Sequence, residues 1–268
     1  LSELSKRILF AFLAGPIFLG IIWYGGVAFL ALMLLMGLLI QKELIHLLDL
    51  QGFRPNVIVS YASWVVIFVA MIFQEFLLPA VILVVVMQVV IDTLDKMHRD
   101  LTRLMSTLFS TAYPALGVLT MVAIRDIEMD QFTGFGVILM LILMIWGNDT
   151  FAYFVGKNFG KRLLAQHLSP KKTWEGFIAG FFGSAVGLLV TLYFIDFGSV
   201  GLAQLWPLII LISIFGPLGD LAASKMKRAA SVKDTSTLLP GHGGVLDRFD
   251  SLILTAPVLY LFFIYFIL

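Results

Sequence analysis

The chain has 268 residues, 60% of them hydrophobic and only 13% charged, with a formal net charge of +1 and no cysteine. Soluble domains carry roughly 25% charged residues, so this composition excludes a water-soluble enzyme fold and a disordered chain, and makes lipid the solvent. The near-zero charge excludes a strongly basic nucleic-acid binder, and no nucleic-acid partner is expected. Without cysteine there is no disulfide framework, thiolate nucleophile or Cys-ligated zinc site.

Nine apolar segments are candidates to cross a bilayer as helices: 8–25, 27–47, 57–73, 76–91, 104–124, 132–146, 176–195, 202–219 and 252–268. A crossing helix needs about 17–25 residues, so the fourth and sixth are expected to continue into their polar flanks. Backbone groups in hydrocarbon have no water partner, so even the β-branched run 81–90 is expected to be helical. Lys6-Arg7 before the first run resembles a signal-peptide start, but the run is long and lacks a small-residue cleavage site, so it reads as a permanent span.

An N-terminus in the cytosol puts segments 1–7, 48–56, 92–103, 147–175 and 220–251 on the inner side. With Lys42 at the inner end of the second span, every Lys and Arg except Arg125 then lies inside, as the positive-inside rule requires. The expected fold is therefore all-α: a polytopic membrane helix bundle of about nine spans, with a cytosolic N-terminus. No repeat or linker interrupts it. Residues 1–131 read as a lipid-facing scaffold of near-featureless apolar helices, and 132–268 as the catalytic region of one integrated membrane domain.

The unusual polar residues begin at Trp146. A helix continuing the sixth span puts Asp149, Tyr153, Gly156 and Gly160 on one face. A carboxylate near the membrane normally has a partner or a task; capping a helix end or pairing with Lys157 is the plainer alternative. In the next segment, Ser169 and Pro170 read as the N-cap and first position of a helix with Glu175 in its opening turn. Lys171 and Lys172 at that positive end suit a bound phosphate, or equally a flank touching anionic lipid headgroups.

The densest stretch is 219–250. Gly216-Pro217-Leu218-Gly219 should kink the eighth span, and a helix resuming there sets Asp220, Ser224 and Lys227 on one face. Arg228, Lys233 and Asp234 lead into Pro240-Gly241-His242-Gly243-Gly244, whose glycines permit close backbone approach. Asp247 and Asp250 follow at helical spacing. Carboxylates suit Mg²⁺, which typically takes one or two of them with waters and substrate phosphates, and Lys and Arg neutralise the remaining phosphate charge. A solvated loop is the bland reading of the same residues.

These residues resemble the phosphatidate cytidylyltransferases, or CDP-diacylglycerol synthases. The family pattern is met at Ser224, Met226, Lys227-Arg228, Lys233-Asp234, Ser236, Leu239, Pro240, His242-Gly243-Gly244, Val245, Asp247-Arg248, Phe249 and Asp250. Asp149-Thr150, Ala152-Tyr153, Gly156 and the run 169–176 resemble the family too; Ala179 departs from it, standing where a glycine is expected. The resemblance implies an enzyme of phospholipid biosynthesis that joins CTP and phosphatidic acid into CDP-diacylglycerol and pyrophosphate. It implies Mg²⁺, with a possible second, monovalent ion such as K⁺, and a homodimer in the bacterial inner membrane whose site faces the cytosol.

On that reading Asp220, Lys227, Arg228 and Asp247 are expected to be catalytic, and Asp220, Asp247 and Asp250 to hold the metal. Asp149, Tyr153, Lys171, Lys172, Ser224, Lys233, Asp234, His242, Gly243, Gly244 and Arg248 are expected to bind substrate. A transporter is the competing class, but it would place polar groups near the midplane of broken or repeated helices; here the charges gather at span ends. A polyprenol kinase or a CTP:archaeol transferase is the alternative within the enzyme class.

Overall fold

The computed structural model describes residues 3–96, 101–129, 132–239, 241 and 243–268. Arg99, Pro240 and His242, all singled out from the sequence, lie outside the described residues. The chain is mostly helical and divides into two compact units, Leu1–Leu119 with Met226–Arg248 and Thr120–Lys225 with Phe249–Leu268.

Helices α1 (Glu3–Tyr24), α2 (Gly26–Leu50), α3 (Val57–Ile72), α4 (Leu77–Leu94) and α5 (Thr102–Arg125) come first. Then come the hairpin β1–β2 (Glu128–Met129, Phe132–Thr133), α6 (Gly134–Phe159), the hairpin β3–β4 (Leu163–Ala165, Ser169–Thr173) and α7 (Trp174–Phe194). The short α8 (Leu202–Leu205) precedes α9 (Pro207–Ala229) and α10 (Leu246–Phe262). Among the described residues seven helices are long and apolar enough to cross a membrane: Gly26–Leu50, Gln74–Leu94, Thr102–Arg125, Gly134–Phe159, Trp174–Phe194, Pro207–Ala229 and Leu246–Ile267. Phe12–Tyr24 and Val57–Ile72 are shorter apolar helices. The valine-rich run is helical as expected, because hydrocarbon leaves its backbone no other partner.

The first helices are not featureless. A buried polar seam joins them: Gln41 Nε2 donates to the Ser60 carbonyl at 2.9 Å, the Ser60 and Ser110 hydroxyls meet at 2.8 Å, and Gln88 Nε2 donates to Ser63 Oγ at 2.8 Å. Such hydrogen bonds hold membrane helices together where lipid removes the hydrophobic drive to associate. Asn56 caps α3 by accepting from Val59 N at 3.2 Å, and its own N–H donates to Thr107 Oγ1 at 2.8 Å.

In the second unit α6 and α7 pack backbone to backbone. A Cβ on Gly147 would overlap the Gly183 carbonyl, and one on Gly183 the Gly147 carbonyl. Gly156 faces Gly176 and Thr173, so the glycine stripe read from the sequence serves a neighbouring helix. Gly219 of α9 meets the Asp250 backbone of α10 in the same way.

The expected helix start at Ser169 and Pro170 is corrected by the structure. Residues 169–173 are extended in β4, with Leu163 opposite Thr173 and Ala165 opposite Ser169. Pairing with β3 holds these residues extended, and Thr173 is the cap, its Oγ1 accepting from Gly176 N at 3.2 Å. Glu175 does lie in the first turn of α7, and its carboxylate accepts Lys161 N and Arg162 N across the hairpin. Among the described residues these two hairpins and an isolated Leu239–Gly243 bridge depart from a purely helical chain.

Candidate active site

Two groups of charged side chains stand out, one in each unit. The group in the second unit centres on Asp220, in the part of α9 that follows Pro217. The helix continues through that proline, so Ser224 lies one turn beyond Asp220, and its Oγ donates to Asp220 Oδ1 at 3.2 Å. Lys172, projecting from β4, forms an ion pair with Asp220 Oδ2 at 2.7 Å and reaches the Pro217 carbonyl at 3.5 Å. Asp149 of α6 lies within electrostatic range of both Lys172 and Asp220. Lys157, the sequence-level alternative partner of Asp149, instead holds its ammonium over the Tyr153 ring, 5.7 Å from the centroid.

Asp250, also in this unit, is buried; its Oδ1 accepts Ser251 N at 2.7 Å. Lys171 is exposed on β4.

The group in the first unit forms where the loop after α9 returns. Lys227, in the last turn of α9, is buried and donates to Asp247 Oδ1 at 2.6 Å. The two side chains are only 11% and 5% exposed, so Lys227 is not part of a solvated loop. Asp247 Oδ2 accepts Thr235 N and Gly244 N, each at 2.9 Å. The Thr235 hydroxyl stands 2.9 Å from the same oxygen and 2.8 Å from Glu43 Oε2; with one proton it donates to one carboxylate at a time. Removing one partner of a buried pair leaves an uncompensated charge and costs about 3–5 kcal/mol.

Glu43 of α2, 4% exposed, was not singled out by the sequence reading. Its Oε1 accepts Ser236 Oγ at 2.7 Å and Val245 N at 2.9 Å, while Oε2 accepts Leu246 N at 2.8 Å besides Thr235. The available signal was an ionisable residue inside an otherwise apolar span, Gln41-Lys42-Glu43, which by default marks a functional place.

Gly243 has φ +79°, a left-handed conformation that favours glycine, and the Leu239 N–H donates to its carbonyl at 2.9 Å to close the turn. Gly244 has no space for a side chain: a Cβ would overlap Thr235 Oγ1 and Glu43 Oε2. Lys233, Asp234, Arg228 and Arg248 are exposed, and Arg228 donates to the Val232 carbonyl at 3.0 Å.

Among the described residues no three His, Asp or Glu side chains gather closely enough to hold a metal by themselves. The donor set around Asp220 nevertheless fits Mg²⁺, which needs one or two carboxylates when waters and phosphates complete its shell. Asp247 Oδ1 would have to share or release Lys227 to bind a cation, as Asp220 Oδ2 would Lys172.

The family model described as the cytidylyltransferase family matches residues 5–266. The chain is also similar to curated proteins named phosphatidate cytidylyltransferase. That of Staphylococcus haemolyticus (strain JCSC1435) is 34% identical over 96% of this chain and 97% of its own length. That of Staphylococcus aureus (strain COL) is 33% identical over the same shares, and that of Brucella abortus biovar 1 (strain 9-941) is 35% identical over 98% and 94%.

Proposed function

The chain belongs to the cytidylyltransferase family, and we propose that it is a multi-pass membrane enzyme that transfers CMP from CTP to phosphatidic acid, giving CDP-diacylglycerol and pyrophosphate. The observation that carries this reading is similarity along nearly the whole chain to proteins named for that reaction. The two charged groups supply the chemistry it needs.

A phosphate oxygen of phosphatidic acid attacks the α-phosphorus of CTP. The new oxygen–phosphorus bond forms as the bond from the α-phosphorus to the bridging oxygen of the β-phosphate breaks, and pyrophosphate leaves with that electron pair. No protein nucleophile is needed; positioning and charge neutralisation lower the barrier. Lys172 and Lys227 bring ammoniums to the phosphates. Lys227 donates one of its three N–H groups to Asp247 and keeps two for an incoming oxygen. Arg228, Lys171, Lys233 and Arg248 add cationic charge, while Tyr153, Ser224, Asp234, His242, Gly243 and Gly244 contact substrate.

Asp220 is the proposed principal Mg²⁺ ligand, supported by Asp149; Asp220, Asp247 and Asp250 would each have to share or release a present partner to bind the ion. Bound there, Mg²⁺ supplies Lewis-acid charge to the phosphates. K⁺ is the proposed companion ion. The reading further includes nine spans, counting the two shorter apolar helices, a cytosolic N-terminus, a site facing the cytosol in the bacterial inner membrane, and a homodimer.

The test is product formation by the purified protein with CTP, Mg²⁺ and a panel of lipid acceptors. CDP-diacylglycerol formed from phosphatidic acid in preference to a polyprenol or an archaeal-type lipid phosphate is expected. Preference for either of the latter overturns the acceptor assignment.

A further inference from the structure

Glu43 is a buried carboxylate that no step of the proposed transfer uses. A carboxylate has about four acceptor positions; Ser236 Oγ, Val245 N and Leu246 N fill three, and the Thr235 hydroxyl, which also stands beside Asp247, reaches the fourth. These donors come from both ends of one loop. Thr235 and Ser236 lie where it leaves α9, and Val245 and Leu246 where it enters α10.

Val245 and Leu246 are also N–H groups at the start of a helix, which lack an intrahelical partner and favour negative charge nearby. Gly244 lies so close to Glu43 that a Cβ there would overlap Oε2. The same loop ends are what reach Asp247: Thr235 N and Gly244 N both donate to its Oδ2, which leaves Oδ1 to Lys227. A glutamine at 43 would turn an NH₂ toward donors that need an acceptor, so the charge and both oxygens matter.

We infer that Glu43 is a positioning residue of the transfer site: its carboxylate clamps the two ends of the 235–246 loop, so that the Gly243-Gly244 turn and the Lys227–Asp247 pair are held in their working geometry. The assignment rests on the cytidylyl-transfer reading of Lys227 and Asp247. It differs from a purely stabilising cap, because its effect must run through that pair.

The test uses the full chain in lipid nanodiscs. In Glu43→Gln, kcat for CDP-diacylglycerol formation is expected to fall about 100-fold, as for loss of an electrostatic element of the site, with KM for CTP and phosphatidic acid nearly unchanged. Glu43→Asp, which keeps the charge, should recover roughly tenfold of that loss. Residues acting through one network are not additive, so Glu43→Gln combined with Lys227→Gln should be no slower than Lys227→Gln alone. Amide exchange at 243–246 should become faster by roughly tenfold or more in Glu43→Gln, reporting local opening.

If Glu43→Gln does not insert, Ser236→Ala removes one donor and carries the test, with a smaller fall in kcat and the same non-additivity toward Lys227→Gln. Multiplying losses in the double variant, or a lower melting temperature at wild-type kcat, overturn the inference. A wild-type protein that makes no CDP-diacylglycerol overturns the activity reading instead, and exchange at 243–246 then still decides whether Glu43 holds the loop.

Discussion

Lys227 and Asp247, twenty residues apart, form a buried ion pair with Nζ 2.6 Å from Oδ1. The pair ties the end of α9 to the start of α10. Stability and catalysis should separate here. Asp247→Asn and Lys227→Gln each strand a buried charge, so each should lose about 3–5 kcal/mol of stability and at least about 10²-fold in turnover. The double variant Lys227→Gln/Asp247→Asn should regain most of the stability and none of the activity. Thermal unfolding in detergent beside kcat measures both; a double variant that recovers turnover would make the pair purely structural.

Arg228 gives the complementary case. It is exposed and donates a surface bond to the Val232 carbonyl, so Arg228→Gln should leave melting unchanged. If it contacts phosphate, its turnover falls about 10²–10³-fold. A lipid-surface role would be worth near 1 kcal/mol, and a loss below tenfold in membranes rich in anionic lipid would assign it that role.

Asp220, paired with Lys172 at 2.7 Å, carries the metal prediction. Asp220→Asn keeps the shape and removes the charge that Mg²⁺ needs. The Mg²⁺ concentration for half-maximal activity should rise by about tenfold or more, since losing even an outer-shell partner of a metal ligand typically costs that much. Lys172→Gln should instead raise KM for CTP. An Asp220→Asn protein with wild-type Mg²⁺ dependence would remove Asp220 from the metal shell.

Membrane crossing was legible because it depends on composition alone, and the charged residues of the second half were legible because a membrane chain rarely carries such groups without use. What linked them was not. Helical spacing put Lys227 beside Asp220 and Ser224; the structure pairs Ser224 with Asp220 and Lys227 with Asp247. Spacing describes one helix, whereas an ammonium on a long flexible stem takes whichever carboxylate the tertiary fold brings near. Glu43 was missed for the same reason. Its donors lie about 200 residues away in sequence, and no local pattern announces them. The Ser169-Pro170 helix start failed locally, since β3 offers residues 169–173 a hairpin partner that a capping pattern does not foresee.

The α6–α7 contact predicts a steric result. Gly183→Leu puts a side chain where the Gly147 carbonyl already lies, and overpacking of this kind costs typically 1–3 kcal/mol or more. The variant should melt lower and express poorly, while Leu189→Ala on the exposed side of α7 should do neither. Equal melting of both variants would contradict the close approach.

Topology follows from the charge distribution. Reporter tags placed after Leu268 and within residues 157–172 should report opposite sides of the membrane if nine spans are present. Tags on the same side would overturn the nine-span reading.

The most direct measurement of the central claim follows phosphorus. The purified protein is incubated with Mg²⁺, phosphatidic acid and CTP labelled at either the α- or the γ-phosphate. Cytidylyl transfer puts the α label into the lipid product and the γ label into pyrophosphate. A lipid that carries the γ label would mean phosphoryl transfer, as in a lipid kinase, and would contradict the account.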